Sequence, residues 1–142
     1  DYELMILAQS KSIPVHGLEN VAYQIELMKK AFPMNDKVLT EEELEVFYNI
    51  GSAFDDLVKT YWSEDIVKME QEFEEQMSVL DNSEEVVRLM LKARNQNWVK
   101  KIPGIASERA TVFAFGAGHL AGEDGVINLL RSAGLTVKPV MN

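Results

Sequence analysis

Along most of this chain, apolar residues recur every three or four positions, and at three places that rhythm gives way to short strand-like runs. Tyr2-Glu3-Leu4-Met5-Ile6-Leu7-Ala8-Gln9 reads as the last turns of a helix that starts upstream. Ile13-Pro14-Val15-His16-Gly17-Leu18 is a short apolar run with Pro near its start, which suits a strand better than a helix. It ends in Glu19-Asn20, a carboxylate at a strand's C-terminal end followed by a helix cap, a site-like placement in an α/β sheet. Val21, Gln24/Ile25, Met28 and Ala31/Phe32 then keep helical spacing until Pro33 stops it.

Thr40-Glu41-Glu42-Glu43 forms a capping box. The helix it opens carries Phe47, Ile50, Phe54, Leu57/Val58 and Tyr61 on one stripe, weakened at Gly51 by ~1 kcal/mol relative to Ala. Ser63-Glu64-Asp65 caps a further helix with Ile66, Met69, Phe73, Met77 and Leu80 inward, and these stripes read as core rather than as a cofactor box. Asp81-Asn82-Ser83 ends it and caps the next, where Val87, Met90/Leu91, Arg94 and Asn97/Trp98 share a face as far as Pro103-Gly104. Thr111-Val112-Phe113-Ala114-Phe115 reads as a buried strand running into Gly116-Ala117-Gly118-His119. Val126 to Ala133 is a short helix closed by Gly134, and Leu135 to Val140 is an edge strand.

Strand, helices, strand, helix, strand predicts an α/β fold: a mainly parallel sheet with helices on its faces and a helix-rich insertion between the first and second strands. Three strands cannot cover every apolar helix stripe, so more sheet is expected from sequence upstream or from a second copy of the chain.

At 142 residues the chain is one domain or a piece of one, and its 46% hydrophobic and 26% charged residues are ordinary for a globular protein. No apolar run approaches the roughly 20 residues of a membrane-spanning helix. The start lacks both Met and the pattern of a signal peptide, so it reads as a trimmed product. That leaves the compartment open: periplasmic or secreted if a signal segment was removed, cytoplasmic otherwise. Absence of Cys excludes disulfides, thiolate metal sites and thiol nucleophiles. The net charge of −9 is concentrated between Glu41 and Glu85, where 15 acids face only Lys59 and Lys68, a segment that repels nucleic acid.

Two histidines leave no multi-His metal site within the chain. His16, in mid-strand, reads as a packed or surface residue. His119 follows a strand and a Gly-Ala-Gly turn, where backbone can approach a ligand; on that pattern alone, site and structural turn are both open. Arg94 shares a helix face with apolar residues, so it must pair with a carboxylate or extend along the surface to water. Glu19 is its first candidate partner and Asp124 its second. Strand C-termini on one sheet edge would bring Glu19, Arg94, Asn95 and His119 together.

The run Arg94-Asn95-x-Asn97-Trp98, then Phe113-Ala114-Phe115-Gly116-Ala117-Gly118-His119-Leu120-Ala121-Gly122-x-x-Gly125-Val126, then Leu129-Leu130-Arg131-x-x-Gly134-x-x-Val137-x-Pro139-Val140, resembles the C-terminal part of the TraB/PrgY/GumN family. Pro14-Val15-x-Gly17-Leu18-Glu19-x-x-x-x-Gln24 resembles that family's Gly-Leu-Glu segment. The family is similar to the TIKI proteins, described as metal-dependent proteases, and more distantly to EreA/ChaN-like proteins. The resemblance implies the C-terminal portion of one such domain, whose intact form is a metal-dependent, peptidase-like hydrolase. It further implies Glu19, Arg94 and Asn95 as catalytic residues, with His119 and Glu19 holding a divalent metal ion. A non-catalytic protein binding a peptide, a small molecule or haem in the same cleft is the alternative. The family's earlier Gly-x-x-His motif has no counterpart in this chain.

Overall fold

A computed structural model describes residues 2–33, 40, 41, 45, 55–78 and 82–140. Its first two helices are Tyr2–Ser10 and Val21–Ala31, the second capped by Asn20, whose side chain accepts from the Tyr23 N–H at 2.8 Å. Residues 55–62 are helical, and Ile66–Met77 follows, capped by Asp65 through the N–H groups of Val67 and Lys68. Ser83–Val87, Arg88–Lys92 and Ala93–Val99 run on without a break, the middle stretch being a π turn. Ile102–Glu108, a 3-10 turn at Ala117–His119 and Val126–Ser132 complete the helical elements.

The expected sheet is not there. Among the described residues the secondary structure is helical, with no strand, which overturns the mainly parallel α/β architecture. Residues 13–18, 111–116 and 135–140 lack helical structure, but no ladder of hydrogen bonds joins them. Strand propensity is local, whereas a strand exists only when a second backbone lies alongside.

Other expectations shift for identifiable reasons. Asn82 makes no side-chain cap bond; its NH₂ donates to the Ala31 carbonyl at 2.8 Å and ties two helices together. Pro103 opens the helix Ile102–Glu108 instead of ending its predecessor, as suits a ring that needs no N–H in a first turn. In Val21–Ala31 the buried residues are Leu27 and Ala31, while Val21, Ile25, Met28 and Phe32 face outward. Ile66, Met69 and Phe73 turn inward but remain half-buried. Gly134 does close the last helix, at φ +87. Glu42, Glu43, Phe47, Ile50, Gly51, Phe54, Leu80 and Asp81 lie outside the described residues.

Two apolar clusters hold these elements. Leu27, Ala31, Val86 and Leu89 form one, with Tyr23, Met77 and Met90 against it. Trp98, Val99, Ile102 and Val126 form the other, joined by Leu18, Phe113, Phe115, Leu129 and Leu130. The π turn joins the two clusters: the Ala93 N–H bonds the Arg88 carbonyl, five residues back. One extra residue in a turn rotates the following helix by about 100°, and after it Asn95, Trp98 and Val99 are the buried residues.

Candidate functional site

At the end of the second cluster, Glu19 enters from the loop before Val21–Ala31, its side chain only 5% exposed. A carboxylate at that depth needs donors on both oxygens, and it has them. Oε1 accepts from Arg94 Nε at 2.9 Å, Arg94 Nη2 at 2.6 Å and Gln24 Nε2 at 2.8 Å, while Oε2 accepts from Trp98 Nε1 at 3.1 Å. Burial pushes the Glu19 carboxyl up, but the bonds from Arg94 and Gln24, the Arg94 charge and the Trp98 bond outweigh it and hold the pKa below its ordinary value.

Arg94 sits between this carboxylate and His119. Its Nη1 donates to the Met90 carbonyl at 3.1 Å and lies 3.5 Å from His119 Nε2. The guanidinium also stands 5.0 Å from the centre of the Trp98 ring, a cation–π placement. That ring in turn packs on His119, with centroids 4.7 Å apart, and on Phe115 at 5.5 Å.

The proton on His119 follows from its neighbour. Asn95 Nδ2 donates to the backbone carbonyls of Asp124 at 2.9 Å and His119 at 3.3 Å, so its Oδ1 must be the atom 2.7 Å from His119 Nδ1. An amide oxygen only accepts, hence Nδ1 carries the hydrogen and Nε2 presents a lone pair toward Arg94. Burial, then the Arg94 charge, lower the His119 pKa to about 4 against a smaller opposing effect of Glu19. The imidazole is neutral throughout the physiological range.

Glu19, Arg94, His119 and Asn95 are thus linked in that order by side-chain contacts, with Arg94 between Glu19 and His119 and Asn95 on the far side of the imidazole. His16 is exposed and apart from them. Asp124, the second candidate partner for Arg94, ion-pairs with Lys92 at 3.1 Å and reaches the cluster only through its backbone carbonyl. Sequence reasoning missed Gln24, Trp98 and the Met90 carbonyl as members. Gln24 lies five residues after Glu19 and Trp98 four after Arg94, one helical turn in the second case, so that spacing was the available signal for Trp98.

A model of the TraB/PrgY/gumN family matches residues 1–139. The chain belongs to that family. No curated protein and no solved structure matches it. For a TraB/PrgY/gumN member the donor set is informative about metal. Among the described residues no three His, Asp or Glu side chains gather as a metal-holding group. Glu19 has four donors on its two oxygens, and its charge is already balanced by Arg94. The His119 Nε2 lone pair, with its tautomer set by a side-chain carbonyl on the other nitrogen, has the arrangement a metal-ligating imidazole needs. The residues therefore fit one ligand of a metal, not a complete site.

Proposed function

We propose that the intact protein is a hydrolase of peptide-like substrates in which this chain supplies one neutral imidazole and one anchored guanidinium. The observation that carries the reading is the Asn95 Oδ1 contact with His119 Nδ1 at 2.7 Å, which leaves Nε2 unprotonated. With a pKa of about 4, His119 is too weak a base to drive proton abstraction near neutrality, but it accepts or ligates at any physiological pH. His119 Nε2 would hold a divalent ion together with ligands beyond the described residues, and that ion would supply a Lewis acid and an activated water.

Arg94 acts through charge. A guanidinium that Glu19 holds on two of its nitrogens is pre-oriented, and its position beside Nε2 is where negative charge develops when a carbonyl is attacked. Glu19 in this reading orients Arg94 and Trp98.

The test is the divalent-metal content of full-length protein, paired with cleavage of a mixed peptide library. Near-stoichiometric metal that is lost in His119→Ala, together with cleavage lost in Arg94→Lys, supports the reading. Equal metal content in wild type and His119→Ala refutes it. Metal binding without cleavage would instead favour a non-catalytic peptide or haem binder.

A further inference from the structure

A guanidinium paired with a carboxylate commonly places one nitrogen on each oxygen, because two parallel bonds suit the planar fork and the planar acid alike. The Glu19–Arg94 pair departs from that pattern. Arg94 Nε and Nη2, which make one edge of the guanidinium, both donate to Glu19 Oε1, at 2.9 and 2.6 Å. Gln24 Nε2 donates to the same oxygen at 2.8 Å. Oε1 thus takes three donors, whereas Oε2 takes one, Trp98 Nε1 at 3.1 Å.

Trp98 lies four residues after Arg94, so both side chains leave Ala93–Val99 on one face and meet the same carboxylate. Packing then fixes the indole. It is 6% exposed, with the ring centroids of His119 and Phe115 at 4.7 and 5.5 Å and the guanidinium 5.0 Å from its centre. A ring held on these sides keeps its N–H aimed at Oε2, and an indole nitrogen only donates, so Oε2 stays occupied. Arg94 is left with one carboxylate oxygen. Its remaining nitrogen, Nη1, donates to the Met90 carbonyl at 3.1 Å and lies 3.5 Å from His119 Nε2.

We propose that Trp98 is a positioning residue: by occupying Glu19 Oε2 it denies Arg94 a grip on both oxygens and so holds Nη1 beside His119 Nε2. A buried acceptor that loses its donor recruits another, and the guanidinium already bound to Oε1 of the same carboxylate is at hand. Without the indole N–H, the fork swings onto both oxygens and carries Nη1 away from the imidazole. The consequence for catalysis rests on the hydrolytic reading, in which Arg94 stabilises charge beside Nε2; the consequence for the geometry does not.

Trp98→Phe deletes the N–H and keeps an aromatic ring; where that variant does not fold, Trp98→benzothienylalanine deletes it with the bicyclic shape intact. Crystal structures of full-length wild type and variant, with peptide cleavage and metal content measured on the same preparations, test the proposal. In the variant Arg94 should span both Glu19 oxygens with Nη1 withdrawn from Nε2, and kcat should fall about 10²-fold, as misplacement of a charge-stabilising group by ~1 Å does, while KM and metal content stay at wild-type values. A Trp98 that merely filled space would give lower thermal stability with Arg94 still on Oε1 and kcat unchanged. Arg94 keeping both donors on Oε1, whichever group fills Oε2, overturns the proposal, as does a wild-type kcat with the guanidinium displaced. A wild type that cleaves no peptide removes the hydrolytic reading and leaves this inference to be decided by the position of Arg94 in the variant.

Discussion

Replacing Glu19 by Gln keeps the side chain's shape and removes its charge, so it isolates what the carboxylate does for the cluster. Glu19 is 5% and Arg94 17% exposed at the side chain, which places the pair among buried ion pairs. Removing one partner of such a pair leaves an uncompensated charge at about 3–5 kcal/mol. The partial exposure of Arg94 argues for the lower end, about 3 kcal/mol. Hydrogen bonding adds to the penalty: whichever way the Gln amide turns, its NH₂ points at a donor, Trp98 Nε1 in one orientation and Arg94 in the other. A loss of about 3 kcal/mol is a large share of the ~5–15 kcal/mol that holds a typical domain together.

Urea unfolding followed by circular dichroism and by Trp fluorescence measures it. Trp98 is buried and Trp62 is 77% exposed, so the change in emission on unfolding reports mainly on Trp98 and this cluster. Glu19→Gln combined with Arg94→Met should lose less than Glu19→Gln alone, because the stranded guanidinium is gone. A single-variant loss below ~1 kcal/mol, the range of solvent-exposed pairs, would refute the claim that burial makes this pair matter.

Stability should also fall as pH drops through the window between the ordinary His value of 6.5 and about 4. The folded state binds fewer protons there than the unfolded state, so acid favours unfolding; the full shift corresponds to about 3 kcal/mol and solvent screening reduces it to about 1–2 kcal/mol. His119→Gln should flatten that part of a pH–stability curve, and an unchanged slope would count against the assignment. Gly125→Ala should be severely destabilising, because an added Cβ would lie 1.9 Å from the Ala121 carbonyl oxygen, whereas Gly118→Ala meets nothing within 4 Å and should be nearly neutral by thermal melting. Asn95→Ala should cost about 1–3 kcal/mol, since it strands His119 Nδ1–H and the Asp124 carbonyl in a site where Asn95 is 2% exposed. Nitrogen NMR of the imidazole should then show a mixed tautomer, and a tautomer still fixed with Nδ1 protonated would refute the role given to Asn95.

Read from the residues alone, the chain already specified its helices at Val21–Ala31 and Ile66–Met77, the caps at Asn20 and Asp65, and the closing Gly134. These depend on neighbours three or four positions away, which any local pattern contains. The need of Arg94 for a carboxylate was equally legible, because a guanidinium on an apolar face must pair or reach water. Which acid answered it was a matter of tertiary structure: Glu19 is 75 positions away, and Asp124 was taken by Lys92. The face that Val21–Ala31 buries, the π turn that brings Asn95 inward, and the convergence of Gln24 and Trp98 on Glu19 likewise arose only from packing between distant elements. The strand-like runs mark the limit most clearly. Their alternation is written in the sequence, but a ladder requires a second backbone within hydrogen-bonding distance, and among the described residues none lies beside them.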